Sequence, residues 1–383
     1  MAARRHQMRN VLTLIFLLYS GLQLYVVAKA RVGLVLGWPM TTVLVAWVLL
    51  MTVMPLLIWR WEQHGRHRPV VIGSWVGYSW MGMAFLFFWV ALALDVLGAL
   101  LTLSGVQPGL SVFDEFLLAC VLTAALYVYG FVAARRLRIE RVLLTSPKLP
   151  ADSAPLRIAL ISDVHLGALV GARRLRSILE KLRALDADVL VSAGDLVDGQ
   201  ADRLNGLAPM FAAVRPRLGK FAVTGNHEYF VGIDKALDFH QRAGFTVLRG
   251  TAVDITDSIR IAGVDDPTGI NLGAPAHTDE RMLLDRTRDR FTILLKHQPR
   301  LEPQVTAGFD LQLSGHVHRG QIFPFNLLVR LSYPLPTGLT RVAGGGWLYV
   351  SRGTGTWGPP LRVLAAPEIT LVELHAQKPG THK

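Results

Sequence analysis

The sequence predicts N-terminal transmembrane helices followed by an α/β domain, and three observations carry that reading. Residues 1–150 of the 383 contain long uncharged runs, each close to the roughly 20 residues a helix needs to cross a hydrocarbon core. From 151 onward, short apolar runs alternate with amphipathic segments in a β-α-β-α-β order, the pattern of parallel strands joined by helical crossovers. The chain is also 51% hydrophobic and only 18% charged, too apolar for an ordinary soluble domain. We therefore expect a membrane domain with a basic linker over 1–150 and a globular domain over 151–383.

The spans are expected at roughly 11–28, 41–59, 75–97 and 113–134. The formal net charge of +12 is unevenly placed: residues 1–150 carry 13 Lys/Arg against 5 Asp/Glu, the rest 27 against 23. Basicity that flanks apolar runs is a topology signal rather than nucleic-acid affinity, and no basic, aromatic-interleaved surface argues for DNA or RNA. Arg4, Arg5 and Arg9 precede the first span, Arg60, Arg66 and Arg68 follow the second, and Arg135, Arg136, Arg138 and Arg141 follow the fourth. The loop between spans three and four has Asp114 and Glu115 but no Lys or Arg. This pattern predicts a multi-pass protein of the cell (inner) membrane with a cytoplasmic globular domain.

Lys29 and Arg31, in a short outer loop, run against that pattern. "AKA" at 28–30 also offers a signal-peptidase site, whose use leaves the orientation of the later part unchanged. Asp95 reads as a residue near a helix end rather than a proton relay, and four spans with one intramembrane acid offer no transport pathway. The single cysteine, Cys120, excludes a disulfide framework and a thiolate metal cluster.

In the second half, "LRIALIS" (156–162), "DVLVSAG" (188–194), "GKFAVTG" (219–225) and "FTILLKHQP" (291–299) read as strands, with a fifth leading into "SGHVHRG". A helix is expected over 173–185 with Leu175, Ile178, Leu179 and Leu182 inward, and another helical segment around 206–214. Functional residues of such sheets lie at the carboxyl ends of the strands, and there the unusual residues fall. They are Asp163 and His165, then Asp195, then Asn226, His227 and Glu228, then His297, then His316 and His318. Oxygen and imidazole donors without sulfur suit Mn²⁺, Fe or Zn²⁺. Seven candidate ligands are too many for one four-coordinate ion and suit two ions sharing a carboxylate. Singly, Asp163 reads as readily as an N-cap, Asp195 and Asn226 as turn residues, and His165 or His297 as satisfied buried histidines. At five strand ends together, the metal reading prevails. The other seven histidines match no block and are expected on the surface or in loops.

The ordered set D-x-H, G-D, G-N-H-E, H and G-H-x-H resembles the calcineurin-like metallophosphoesterase superfamily over about 155–375. "GHVHRGQIFP" with "YVSRGTGTWGPPLRVLAAPEITLVEL" is similar to its membrane-anchored bacterial branch. The resemblance implies a two-sheet β sandwich flanked by helices around the β-α-β-α-β core. It implies two divalent ions, one held by Asp163, His165 and His318, the other by Asn226, His297 and His316 (through its ring or its carbonyl), with Asp195 bridging. A hydroxide shared by the ions would attack a phosphodiester or pyrophosphate bond. His227 would be the catalytic acid, stabilising the phosphate and protonating the leaving oxygen, with Glu228 and Asp198 in support. Glycines 194, 225 and 315 are expected to make sharp turns. Arg319 departs from the branch, which has glycine after the last histidine, and that departure bears on substrate fit.

The short linker after the fourth span and the apolar "IFPFNLLVRLSYPL" (322–335) point to an amphiphilic or lipid-linked substrate. That segment would line an acyl-chain groove or enter the headgroup layer; an ordinary buried loop is its alternative. A membrane receptor or scaffold with a non-catalytic metal site is the competing functional class. The presence of all seven candidate ligands and His227 weighs against it.

Overall fold

A computed structural model describes residues 2–107, 109–199, 204, 206–274, 280–284 and 289–377. The chain forms two compact units, Met1–Ala133 with Gly358–Val363, and Ala134–Trp357 with Leu364–Lys383.

The first unit contains α1 (Ala2–Gly33), α2 (Trp38–Gln63), α3 (His67–Leu103) and α4 (Val112–Arg135). Each is long and apolar enough to cross a membrane, which suits helices whose large apolar side chains remain widely exposed. α2 packs on α3 where Gly73 and Gly77 leave room for Trp61, Ile58 and Met54, the small-residue contact that lets apolar helices approach closely. Val26, Ala84, Phe87, Ala91 and Ala119 form the inner cluster.

Two readings of the charges in these helices are corrected. Lys29 lies within α1, not in a loop, and pairs with Asp95 of α3 and, at 3.0 Å, with Glu115 of α4. The Tyr25 hydroxyl donates to Asp95 at 2.6 Å. Asp95 is thus the counter-charge of a cation, and two carboxylates offset Lys29.

Gly358–Val363 belongs to this unit because two glycines admit it. A Cβ on Gly82 of α3 would meet Leu361 at 2.7 Å and Pro359 at 3.0 Å, and one on Gly130 of α4 would meet Val363 at 2.9 Å. The Arg362 N–H donates to the Gly130 carbonyl at 3.0 Å, and Arg362 is fully buried.

The second unit starts earlier than expected. Residues 138–146, placed in a basic linker by the sequence pattern, form β1 (Arg138–Ser146), which pairs with β12 (Glu368–Ala376) near the other end of the chain. Between them come β2 (Leu156–Ile161), α5 (Ala172–Leu185), β3 (Val189–Ser192), α6 (Ala208–Ala212), β4 (Lys220–Ala222), α7 (Asn226–Val231), α8 (Ile233–Arg242) and β5 (Thr246–Val247). There follow β6 (Thr251–Thr256), β7 (Ile259–Gly263), α9 (Thr268–Asn271), α10 (Glu280–Leu284), β8 (Phe291–Leu295), β9 (Leu311–Ser314), α11 (Phe325–Ser332), β10 (Gly338–Arg341) and β11 (Trp347–Val350).

The strands form two six-stranded sheets, ordered β1-β12-β2-β3-β4-β5 and β10-β11-β9-β8-β7-β6. Alternation along the strands divides the core, since successive side chains face opposite sides. Ile158, Leu160, Val189 and Val191 meet Ile261, Ile293, Leu295 and Leu313 between the sheets. Ala159, Ile161 and Leu190 face outward under Leu175, Ile178, Leu179 and Leu182 of α5, the inward stripe the periodicity predicts. On the far side Ala262, Leu294 and Leu348 pack with Val305, Phe309 and Val342. This is the two-sheet sandwich flanked by helices. The parallel neighbours β2, β3 and β4, and β8 and β9, bring five carboxyl ends to one edge. They end sooner than the sequence reading had them, because the residues after them leave strand geometry to build the site.

Replacing Gly130 with Val should push Gly358–Val363 out of its seat. In detergent-solubilised protein we expect tryptic cleavage after Arg362 in Gly130→Val and protection in the parent chain; equal protection in both would refute the packing role of this glycine.

Candidate metal centre

Each strand tip contributes its unusual residues to one cleft. Asp163 and His165 follow β2, Asp195 follows β3, Asn226 and His227 open α7 after β4, His297 follows β8, and His316 and His318 follow β9. The side chains form three interlocking groups with ligand-type atoms within 4.8 Å of one another: Asp163, His165 and His318; His165, Asp195 and His227; Asp195, His297 and His316. Asn226 joins the third group, its Oδ1 lying 3.0 Å from His316 Nδ1 and 3.3 Å from His297 Nε2. All seven expected ligands are therefore brought together, and His227 with them. His316 presents its ring to the cleft while its N–H donates to Asp163 at 2.9 Å.

Backbone geometry is unusual at these tips. Asp163, His165, Asp195, His316 and His318 all have left-handed φ, between 47° and 71°, a region uncommon for residues with a Cβ. Of the neighbouring glycines, one makes the expected turn and two have a different task. Gly194 has φ +93°, whereas Gly225 and Gly315 serve close approach. A Cβ on Gly315 would overlap the Ser162 hydroxyl and the Asp163 carboxylate, and one on Gly225 would overlap the Asp195 carboxylate.

Hydrogen bonds fix the donors' orientation. His297 Nδ1–H donates to the Ala193 carbonyl at 2.7 Å, which aims its Nε2 at Asp195 Oδ2, 3.2 Å away. Asp163 accepts from the Ser162 hydroxyl, and Asp195 accepts the His227 N–H at 2.9 Å. Glu228, fully buried, accepts the backbone N–H groups of Asp195 (3.0 Å), Leu196 (2.8 Å) and Gly225 (2.7 Å), tying two ligand loops together. His227 Nδ1–H donates to Asp198 at 3.1 Å, leaving the other ring nitrogen for the cleft.

Burial and carboxylate–imidazole neighbours set the electrostatics of the cleft. Burial pushes Asp163 up to about 6 against the pull of His297. Burial also opposes ionisation of Asp195, but the facing His297 and His227 hold it well below the usual carboxylate range. Burial and neighbouring His227 lower His165 to about 4, and burial and His297 lower His316 to about 3. His297 resists the effect of burial through Asp195 and stays well above its ordinary value. His227 does likewise through Asp195 and Asp198, reaching about 9.

Does this donor set fit divalent ions? His165 Nε2 stands 3.0 Å from His318 Nε2, and His297 Nε2 3.2 Å from His316 Nδ1. Neutral imidazoles facing each other through lone pairs repel unless a proton or a cation sits between them. The Nδ1 of His165 is buried without a hydrogen-bond partner among the described residues. Two carboxylates, an amide oxygen and four imidazoles sharing Asp195 fit a pair of divalent cations.

Besides Phe230, edge-on to His227 at 5.5 Å, the sequence reading missed two aromatic neighbours. Trp357 lies edge-on to His227 at 5.7 Å between ring centres, held by two hydrogen bonds between its backbone and the Gln321 amide. Tyr333 lies edge-on to His316 at 5.1 Å, its hydroxyl donating to Gln298, whose amide donates to Asp266. Both stand in segments the sequence reading quoted, yet nothing local to them announces a cleft.

Residues 156–320 match the family model described as calcineurin-like phosphoesterase. An uncharacterized metallophosphoesterase of Aquifex aeolicus is 40% identical over 248 residues, covering 64% of this chain and 95% of that relative. A transmembrane protein with metallophosphoesterase domain from Danio rerio is 36% identical over 68% of this chain, which spans 63% of that longer protein. An uncharacterized metallophosphoesterase of Campylobacter jejuni is 32% identical over 76% of this chain and 79% of its own length. Among solved structures, a dimetal phosphatase from Danio rerio aligns with TM-score 0.36 and 12% identity over 52% of this chain and 88% of that one. Arg319, the departure from the branch pattern, has φ 53° and is exposed. It holds a conformation glycine adopts without cost.

Proton competition should govern loading. A carboxyl raised to about 6 is protonated below that pH, so Mn²⁺ uptake measured after dialysis should be weaker at pH 5 than at pH 7. Uptake that does not change between those pH values would contradict the donor role of Asp163. Gly315→Ala, which displaces Asp163, should lower metal affinity by about 10–100-fold at pH 7.

Proposed function

The chain belongs to the calcineurin-like phosphoesterase family, and from that membership we propose that it is a membrane-bound dimetal hydrolase of phosphodiester or pyrophosphate bonds. The observation that carries the proposal is Asp195, common to two of the three donor groups and buried between them. In this reading Asp163, His165 and His318 hold one divalent ion, Asn226, His297 and His316 the other, and Asp195 both. Mn²⁺, Fe or Zn²⁺ would suit the donors. Bound there, the ions would polarise phosphoryl oxygens and generate a nucleophile from water near neutral pH.

The chain's own residues do the rest. His227, kept protonated by Asp195 and Asp198, donates a proton to the departing oxygen. Asp198 fixes which ring nitrogen carries that proton. Trp357 and Phe230, both edge-on to His227, wall the proton donor with apolar surface and limit access of bulk water. Glu228 keeps the Asp195 and Gly225 loops in register. An amphiphilic or lipid-linked phosphoester is the favoured substrate class. Two residues alone, Arg136 and Leu137, separate α4 from β1, so substrates in a bilayer are within reach, and Trp357 and Phe230 are themselves more than half exposed beside the cleft. Arginines after the second and fourth spans favour a cytoplasmic catalytic unit in the inner membrane.

Purified full-length protein with Mn²⁺ should hydrolyse a diester or a lipid pyrophosphate, and Asp195→Asn should lower the rate by at least about a hundredfold. Metal binding without turnover on diester, monoester and pyrophosphate would overturn the reading in favour of a receptor or scaffold. His227→Ala should reduce kcat by about 10²–10⁴-fold for an alkoxide leaving group and far less for p-nitrophenolate, which needs no proton. Equal losses with both leaving groups would remove His227 from the acid role.

A further inference from the structure

Among the helices of the second unit, α11 stands apart. α5 buries Leu175, Ile178, Leu179 and Leu182, and α8 buries Ala236 and Phe239. α11, with the sequence FNLLVRLS, buries no residue at all. Phe325 is 45% exposed, Leu327 and Leu328 53% each, and Leu331 82%. The helix is nevertheless anchored: Val329 and the following Tyr333 pack against the cluster that includes Val305, Phe309 and Val342. The apolar residues therefore form a fixed outward face.

The exposed charges of the surrounding stretch of chain have one sign. Between Asp310 and Glu368 there are five arginines and no acidic residue; Arg362 is buried and Arg352 pairs with Glu140 and Glu368, which leaves three at the surface. Arg330 lies on α11, and Arg319 and Arg341 are exposed on either side of it in sequence. A short helix with an apolar outer face and flanking arginines has the composition of an interfacial helix, whose apolar side chains enter the acyl boundary while arginines reach the headgroups. Cationic residues at such a surface favour anionic lipid. A bilayer is also the partner in constant reach, because the last span and β1 are two residues apart.

We propose that the outward face of α11 docks into the headgroup layer of an anionic bilayer. This docking is independent of hydrolysis, so its test needs no turnover. In a Cys120→Ser background, Leu328→Cys and Leu331→Cys would each carry a bimane label, as would Arg176→Cys on the exposed side of α5. Full-length protein would be reconstituted in vesicles of phosphatidylcholine, with or without phosphatidylglycerol, containing doxyl-labelled lipid. We expect quenching at least twofold stronger at positions 328 and 331 than at 176, and stronger again with phosphatidylglycerol. Quenching equal to that at 176 overturns the proposal. Quenching that needs a raised protein-to-lipid ratio overturns it in favour of contact between copies, and indifference to phosphatidylglycerol overturns the anionic preference. Should either cysteine variant misfold, Leu327→Cys reads the same face.

Discussion

The second unit is organised around crowding of like donors in one buried cleft. Two carboxylates and four imidazoles meet there with oxygens and nitrogens 3.0–3.8 Å apart. No arrangement of neutral or anionic groups makes that comfortable; the shared requirement is positive charge at the centre. Protons supply part of it: against the effect of burial, neighbouring carboxylates hold His297 and His227 above their ordinary values, while burial pushes Asp163 up. Bound cations would reverse that local logic.

Meeting this requirement constrains the backbone. Five candidate ligands in the left-handed region carry an unfavourable energy of about 1–2 kcal/mol each, which must be offset by packing elsewhere. The offset is visible in the strands beneath them, since β2, β3, β8 and β9 are buried along nearly every residue. Glycines 225 and 315 allow neighbouring loops to touch the carboxylates without a Cβ between them. Glu228 then binds backbone donors from two loops with one side chain, so strain at one tip is shared with the next. Strain concentrated in functional loops over a rigid sheet is the expected division of labour.

Much of this was legible in the sequence because the candidate ligands sit at local landmarks. Each is next to a glycine or a strand end, and strand and helix periodicity located β2, β3, β4, β8 and α5 from their own residues. What escaped depends on partners distant in the chain. β1 looks like a linker because its partner, β12, lies more than 200 residues away, and half its residues face solvent. Asp95 looks isolated until α1 brings Lys29 beside it. Trp357 and Tyr333 have no pattern that separates a cleft wall from a core aromatic; only the folded loops place them against His227 and His316.

Buried carboxylates at the centre stand beside a stretch of chain with exposed arginines. The carboxylates Asp163, Asp195 and Glu228 are buried and engaged with hydrogen-bond donors or imidazoles, so they present no exposed negative surface to an approaching anion. The stretch from Leu311 to Pro367, which supplies His316, His318, Tyr333 and Trp357, exposes Arg319, Arg330 and Arg341 and contains no acid. An anionic phosphoester approaching this stretch meets positive charge. The same arginines flank the apolar face of α11, so attraction to an anionic surface and attraction to an anionic substrate come from one segment. Changing those arginines would therefore alter both together, whereas changing the apolar residues of α11 would separate them.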